Sequence, residues 1–139
     1  ALPICNSVSS SVLDMLDSHA DAAPASRYTG QEAVPLRRLD TIGAPYADAD
    51  ARLFIKIDTQ GFEGAVLAGA REMLARAHGV QLELSLIELY RGQATVDAII
   101  AQLRDAGFEI WTFWPGFADP ATGRMLQIDA IFVRSEPRA

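Results

Sequence analysis

The sequence predicts a single α/β domain, in which part of a doubly wound sheet is flanked by helices. Three observations support this fold class. Strand-like and helix-like patterns alternate after residue 50, the first of those strands turns through glycine directly into a helix, and the last two strands have no helix between them. The predicted order is β-α-β-α-β-loop-β, the second half of a doubly wound sheet closed by an antiparallel hairpin. Residues 1–50 are predicted to be an irregular N-terminal segment and residues 51–139 the α/β core.

Composition excludes several classes of protein. Half of the 139 residues are hydrophobic, which is typical of a globular domain and not of a disordered chain. The net charge of −6 argues against nucleic acid or an anionic membrane as the main partner, since both require a basic surface. The single cysteine, Cys5, cannot form an internal disulfide and fits a reducing compartment, so we expect a cytoplasmic protein. No apolar run approaches the roughly 20 residues of a membrane span.

The N-terminal segment contains only short patterns. Apolar residues at positions 12, 13, 15 and 16 predict a short helix, for which the serines at 9–11 are available as caps. Residues 22–30 are predicted to form a loop. Residues 32–36 are predicted to form a short edge strand, because Pro35 cannot donate a ladder hydrogen bond inside a sheet. Residues 39–46 are predicted to connect this segment to the core.

The core begins with its most informative stretch, LFIKIDTQGFEGAVLAGA at residues 53–70. Residues 53–57 are a near-continuous apolar run, which predicts a strand covered on both faces. Gly61 allows a tight turn, and apolar residues then recur at helical spacing up to residue 77. His78 and Gly79 are predicted to end this helix, with the glycine at its C-terminal cap.

The second half of the core continues the alternation. Leucine and valine at 80, 82, 84 and 86 alternate with polar residues, which predicts a strand with one polar face. Thr95 is the predicted cap of a helix whose apolar stripe runs from 96 to 103, and Gly107 is predicted to stop it. An aromatic strand at 108–114, a turn at 115–124 and a final strand at 125–134 complete the chain.

Three carboxylates are the candidate catalytic residues. Asp58 stands at the carboxyl end of a strand, where open α/β sheets place their ligands. Glu63 begins the next helix, so the favoured interpretation is that it complements the helix dipole. Glu83, on the polar face of the next strand, could approach Asp58. Such paired carboxylates can hold a divalent metal or raise one pKa for base catalysis. Equally, Glu83 could bind Lys56, which could instead pair with Asp58.

Other polar and aromatic residues carry weaker signals. Asp129 lies inside an apolar strand, where loop amides or an arginine are expected to satisfy it. His19 and His78 are too few for a zinc site, and His78 is expected at a helix end. A nucleophile elbow, a P-loop and a G-x-G-x-x-G motif are all missing from the sequence. Four aromatic residues lie close together in the sequence: Trp111, Phe113, Trp114 and Phe117. They are predicted to lie in the core or, alternatively, to form the wall of a substrate pocket.

Several segments match the pattern of a known family: NSVSSSVLDMLDSH, VPLRRLD, IKIDTQGFEGAVLAGA, VQLELSLIELYRG and GFEIWTFWPGFADPATGRMLQIDAIFVR. Together they resemble the C-terminal half of the FkbM-type methyltransferases, whose KID-x-QG-[FY]-E signature is fairly specific. The resemblance implies a Rossmann-like sheet and methyl transfer from S-adenosylmethionine. The implied acceptor is a hydroxyl on a sugar, a polyketide or a related small molecule. It also implies that Asp58 lies beside the reacting methyl group, where it could orient or deprotonate the acceptor directly or through a metal.

The chain departs from that family in its first half. Family members carry a glycine-rich DVGAN-type loop and a second strand whose terminal acid binds the cofactor ribose, and neither is in this sequence. The resemblance implies that the chain supplies strands 4, 5, 7 and 6 of a sheet ordered 3-2-1-4-5-7-6. No cofactor-binding residue is assigned. The start without methionine suggests a recombinant segment, a truncated gene or a fragment.

Two functions follow from these observations. One is the substrate-side half of a methyltransferase, active only in the complete protein. The other is a truncated, non-catalytic α/β module that packs against a partner or against itself through an exposed strand edge.

Overall fold

The computed structural model describes residues 2–4, 9–48 and 50–135, and Cys5 lies outside them. The strands are β1 (Leu2–Ile4), β2 (Gly30–Glu32), β3 (Leu53–Ile57), β4 (Ala77–Ser85), β5 (Phe108–Pro115) and β6 (Gln127–Arg134). The helices are α1 (Asp17–Ala22), α2 (Leu39–Gly43), α3 (Glu63–Ala68), α4 (Arg71–Arg76) and α5 (Val96–Asp105). Single 3-10 turns lie at Pro24–Ser26 and Ala44–Tyr46. None of the helices described is long and apolar enough to cross a membrane.

The core sheet has four strands in the order β3-β4-β6-β5. Strand β3 is parallel to β4, whereas β6 is antiparallel to both β4 and β5. The predicted order of the four strands and the antiparallel closing hairpin are therefore confirmed. Among the described residues no strand pairs with the outer edge of β3, because β1 pairs with β2 in a separate two-stranded sheet.

One face of this sheet holds the hydrophobic core. Val80, Leu82 and Leu84 of β4 are buried there, as their alternation with polar residues predicts. They pack with buried residues of the helices, among them Leu67 of α3 and Leu103 of α5. Helix α5 begins and ends as predicted: the Thr95 hydroxyl accepts from the Ala98 amide at 3.3 Å, and Gly107 follows at φ +85°.

Strand β3 is not covered on both faces, contrary to the prediction. Ile57 is buried against the helices, but Phe54 is 54% exposed and Lys56 is exposed on the opposite face. Burial depends on which elements cover a strand. An apolar run identifies the strand but cannot tell whether a second layer is present in the same chain.

The single helix predicted up to residue 77 is wrong. Two six-residue helices, α3 and α4, are separated near Gly69, and β4 begins at Ala77. His78 and Gly79 therefore lie in a strand and not at a helix end. The reason for glycine at 79 is a close contact, since a Cβ there would lie 2.7 Å from the Phe54 ring. The Phe54 ring thus packs directly over the β4 backbone.

The N-terminal predictions at 12–16 and 32–36 are also wrong. Helix α1 begins only at Asp17, because Met15 bridges to Tyr90 and the Leu16 amide donates to the Leu89 carbonyl at 2.9 Å. The short strand lies at Gly30–Glu32 instead, so Pro35 falls outside it. At residues 12–16, contacts with the segment around Tyr90 therefore override the local helical pattern.

The predicted connector at 39–46 contains helix α2. Asp40 explains its position, because one carboxylate oxygen accepts from the backbone amides of Glu72 and Met73, both at 3.0 Å. These amides belong to the first turn of α4, which otherwise has no side-chain cap. Asp40 therefore ties the N-terminal segment to the core.

Candidate functional site

The three candidate carboxylates come together at the carboxyl ends of β3 and β4. Ile57 pairs with Leu82, which places Asp58 and Glu83 side by side just beyond that pair. Glu63 is the first residue of α3, immediately after the turn that follows β3. The predicted approach of Asp58 and Glu83 is confirmed, because a single side-chain nitrogen donates to both of them.

That nitrogen belongs to Gln60, which was not among the residues predicted from the sequence. Its Nε2 donates to Asp58 Oδ1 at 3.0 Å and to Glu83 Oε2 at 2.9 Å. Its Oε1 accepts from the Tyr90 hydroxyl at 2.9 Å, and its backbone carbonyl accepts from the Ser11 hydroxyl at 2.6 Å. Gln60 is only 8% exposed and has a positive φ of 51°. Neither this backbone conformation nor these contacts can be read from the sequence, so no signal in the chain alone could have revealed Gln60.

Asp58 is the accessible carboxylate of the group. Its side chain is 49% exposed, and its Oδ2 lies 3.6 Å from Lys56 Nζ. Of the two partners considered for Lys56, the structure thus selects Asp58. Both groups are open to solvent, so this ion pair adds little to stability. Asp58 is therefore held by one buried amide while it faces outward.

Glu63 holds the turn between β3 and α3. Its Oε1 accepts from the Thr59 amide at 3.0 Å, the Thr59 hydroxyl at 3.1 Å and the Gly61 amide at 3.2 Å. Burial raises its pKa, and these hydrogen bonds partly offset the rise. Gly61 completes the turn at φ +93°, and a Cβ there would lie 2.9 Å from Tyr90. The position of Glu63 at the start of α3 is that of a residue complementing the helix dipole.

Glu83 is the carboxylate with the most altered acidity. Burial raises its pKa to about 7, and the negative charges of Asp58, Glu63 and Asp129 add to the rise. Gln127 Nε2 donates to Glu83 Oε2 at 2.7 Å, the same oxygen that Gln60 contacts. Within the described part of the chain, Oε1 has no hydrogen-bond partner. A carboxyl group of this kind gains or loses its proton near neutral pH.

Replacing Glu83 by glutamine tests this acidity. Because the folded-state pKa of about 7 lies above the ordinary 4.5, the stabilisation from the bound proton is complete below pH 4.5 and is lost as the pH rises through 7. We expect the free energy of unfolding of the wild type to fall, relative to that of Glu83→Gln, by on the order of 2 kcal/mol between about pH 5 and 8. Urea denaturation at several pH values measures this difference. A difference that does not change with pH would show that Glu83 titrates normally.

The residues paired with Glu83 across the sheet include a further carboxylate and an aromatic residue. Glu83 pairs with Asp129 of β6, and Asp129 pairs with Trp114 of β5. The partner of Asp129 is the side-chain amide of Gln81 at 3.4 Å, and not the loop amide or arginine that was expected. The core interpretation is wrong for three of the aromatic residues, because exposures of 74%, 45% and 47% are found for Trp111, Phe113 and Trp114.

The two histidines lie apart from the carboxylates' hydrogen bonds. His19 is 3% exposed and packs its ring edge-on against Tyr90, with ring centroids 5.1 Å apart. Burial lowers its pKa, and its Nδ1 has no hydrogen-bond partner among the described residues. His78 is exposed in β4. In residues 9–48 and 50–135, no group of three or more His, Cys, Asp or Glu side chains could hold a metal ion.

Comparison with known proteins identifies the class. The model of the FkbM methyltransferase domain matches residues 3–110, more than half of the chain. The chain belongs to the FkbM methyltransferase family. Methyl transfer is the activity that this family indicates. No curated protein and no solved structure matched.

Proposed function

We propose that this chain is the acceptor-binding part of an S-adenosylmethionine-dependent O-methyltransferase. The acceptor in this proposal is a hydroxyl on a sugar, a polyketide or a related small molecule. One observation carries it: Asp58 presents a half-exposed carboxylate at the carboxyl end of a parallel strand, next to the half-buried Glu83 and beside a sheet edge that no described strand covers. Family membership supplies the reaction class.

Asp58 is the residue that we assign to the acceptor hydroxyl. Its exposed oxygen can accept the hydroxyl proton, which leaves the acceptor oxygen as the nucleophile. The remainder of the rate comes from holding the acceptor in line with the methyl group. Glu83 is linked to Asp58 through the Gln60 amide and has a pKa of about 7. Near neutral pH Glu83 can therefore hold a proton while Asp58, the proposed base, stays ionised.

The described residues do not fit the cofactor by themselves. The turn after β3 contains a glycine, but the amides of Thr59 and Gly61 already donate to Glu63. The space that a Cβ of Gly61 would take is occupied by Tyr90. This turn is therefore closed and is not a cradle for a nucleoside or a carboxylate.

The 139-residue chain alone should bind S-adenosylmethionine weakly or not at all. The reason is that the Thr59 and Gly61 amides of its turn after β3 already donate to Glu63, and its sequence has no DVGAN-type loop. Isothermal titration calorimetry measures the affinity, with a family protein that carries the glycine-rich loop as the positive control. Binding in the low-micromolar range by the isolated chain would contradict this expectation.

The observed sheet supports a specific placement within a complete enzyme. We assign β3, β4, β6 and β5 to strands 4, 5, 7 and 6 of the methyltransferase sheet, since they are neighbours in that order. The missing neighbour of β3 is then the first strand of the sheet. The catalytic test is a methyl-transfer assay, with labelled donor and a panel of sugars and polyketides. It uses a protein that joins this chain to a glycine-rich cofactor-binding half. Failure of every hydroxyl acceptor would reject O-methylation.

A second candidate function is supported by the outer edge of β3, which pairs with no strand in the described part of the chain. In this alternative the chain is a non-catalytic module that associates through that edge. Phe54, which is 54% exposed on β3, supplies apolar area beside the unpaired backbone groups.

A further inference from the structure

We propose that Gln60 is a positioning residue, whose side-chain amide holds Asp58 in one orientation toward the acceptor and links it to Glu83. This inference rests on the proposed function of Asp58. It adds a residue to the site and a means by which the pH acts on it.

The amide of Gln60 can have only one orientation between two carboxylates. Its two N–H groups point to Asp58 Oδ1 and Glu83 Oε2, and a primary amide nitrogen has no further hydrogen to donate. The opposite orientation would place the amide oxygen, an acceptor, against both carboxylates. Tyr90 supports the observed orientation, because its hydroxyl donates to Gln60 Oε1 at 2.9 Å.

The backbone of Gln60 is held as firmly as its side chain. The Ser11 hydroxyl donates to its carbonyl at 2.6 Å, and the residue keeps a left-handed φ of 51° that costs energy for a side chain other than glycine. With 8% exposure, Gln60 has little freedom to leave this position. A glutamine with a strained backbone and hydrogen bonds at both ends of its side-chain amide is what a site needs if it must hold one carboxylate in place.

The link to Glu83 makes the site sensitive to pH. The groups that face Glu83 are Asp58 after β3, Glu63 of α3 and Asp129 of β6, with Lys56 paired to Asp58. When Glu83 loses its proton, the amide of Gln60 is drawn toward a second full negative charge. Its hold on Asp58 then weakens. Asp58 is thus held best when Glu83 carries its proton.

The variant Gln60→Met removes both N–H donors and keeps a similar side-chain length. The control Gln127→Met removes the donors to Glu83 and to the Ser85 hydroxyl but none to Asp58. Carbon NMR of the side-chain carboxyl groups follows both residues through a pH titration of the isotope-labelled chain. We expect both variants to raise the pKa of Glu83 above about 7. Only Gln60→Met should move the Asp58 signal. An Asp58 signal that is the same in Gln60→Met and the wild type would overturn the inference.

A second measurement needs no variant and covers the case in which Gln60→Met does not fold. The side-chain nitrogen resonance of Gln60 in the wild-type chain should move as Glu83 loses its proton near pH 7. A resonance that does not respond to the titration of Glu83 would also refute the bridge. Neither experiment requires catalytic activity, so each tests the Gln60 bridge independently of the proposed function.

Turnover in the complete protein then separates this inference from the proposed function. We expect kcat to fall about 100-fold in Gln60→Met, since a misplaced group loses that much. The double variant with Asp58→Asn should be no slower than Asp58→Asn alone, because Gln60 acts through Asp58. Additive losses would contradict positioning. Unchanged turnover in Asp58→Asn, with the NMR effects present, would reject the catalytic role and leave the bridge standing.

Discussion

Asp58→Asn should lower turnover by about 100- to 10,000-fold in a complete protein that contains this chain, which is the contribution of a positioned acid–base group. Asparagine keeps the shape of the side chain and can still face Gln60, but it cannot accept a proton from the acceptor. Stability should change little, because Asp58 is half exposed and its ion pair with Lys56 is open to solvent. Initial rates of methyl transfer and a urea denaturation curve measure the two effects.

Two control variants make the result specific. Asp105→Asn changes an exposed carboxylate at the end of α5 and should leave turnover unchanged. Glu63→Gln should reduce turnover less than Asp58→Asn but cost more stability, since its carboxylate accepts three hydrogen bonds in the turn. If Asp58→Asn kept near-normal turnover on its true acceptor, Asp58 would have to be reclassified as structural.

The parts of the fold that sequence predicts well depend on near neighbours. The alternation in β4 and the cap at Thr95 are properties of a few adjacent residues, and both are confirmed. The antiparallel pairing of the last two strands follows from their direct connection, whereas the place of β6 between β4 and β5 was implied by the family resemblance. Exposure of Phe54 and the break near Gly69 depend on what packs against them, so neither was predicted from the sequence.

In the candidate site, too, features set by adjacent residues were predictable, and features set by distant residues were not. Asp58 and Glu83 could be chosen from strand position and from the polar face alone. Gln60 could not, because its contacts come from residues 23, 30 and 49 positions away in the sequence. The paired carboxylates predicted that one pKa could be raised, but the value of about 7 for Glu83 follows from burial beside three other carboxylates, which the sequence does not show.

The isolated chain should associate through the outer edge of β3. Among the described residues that edge has no partner strand, since the N-terminal strand β1 pairs with β2 instead of folding over it. The other edge strand, β5, carries a register shift after Ile110, and such bulges discourage edge-to-edge pairing. Phe54 adds exposed apolar surface to β3. Edge pairing and apolar burial therefore favour the same contact.

Light scattering over a range of concentrations should show a mass rising toward twice that of the monomer. Amide exchange should be slow along the whole of Leu53–Ile57, because a second strand would cover the outward N–H groups. Phe54→Lys should shift the equilibrium toward monomer by placing a charge on the edge. Leu36→Lys, at a residue that is 68% exposed outside the sheet, should not. A strict monomer whose outward β3 amides exchange rapidly would rule out association through this edge and, with it, the module as a function of the isolated chain.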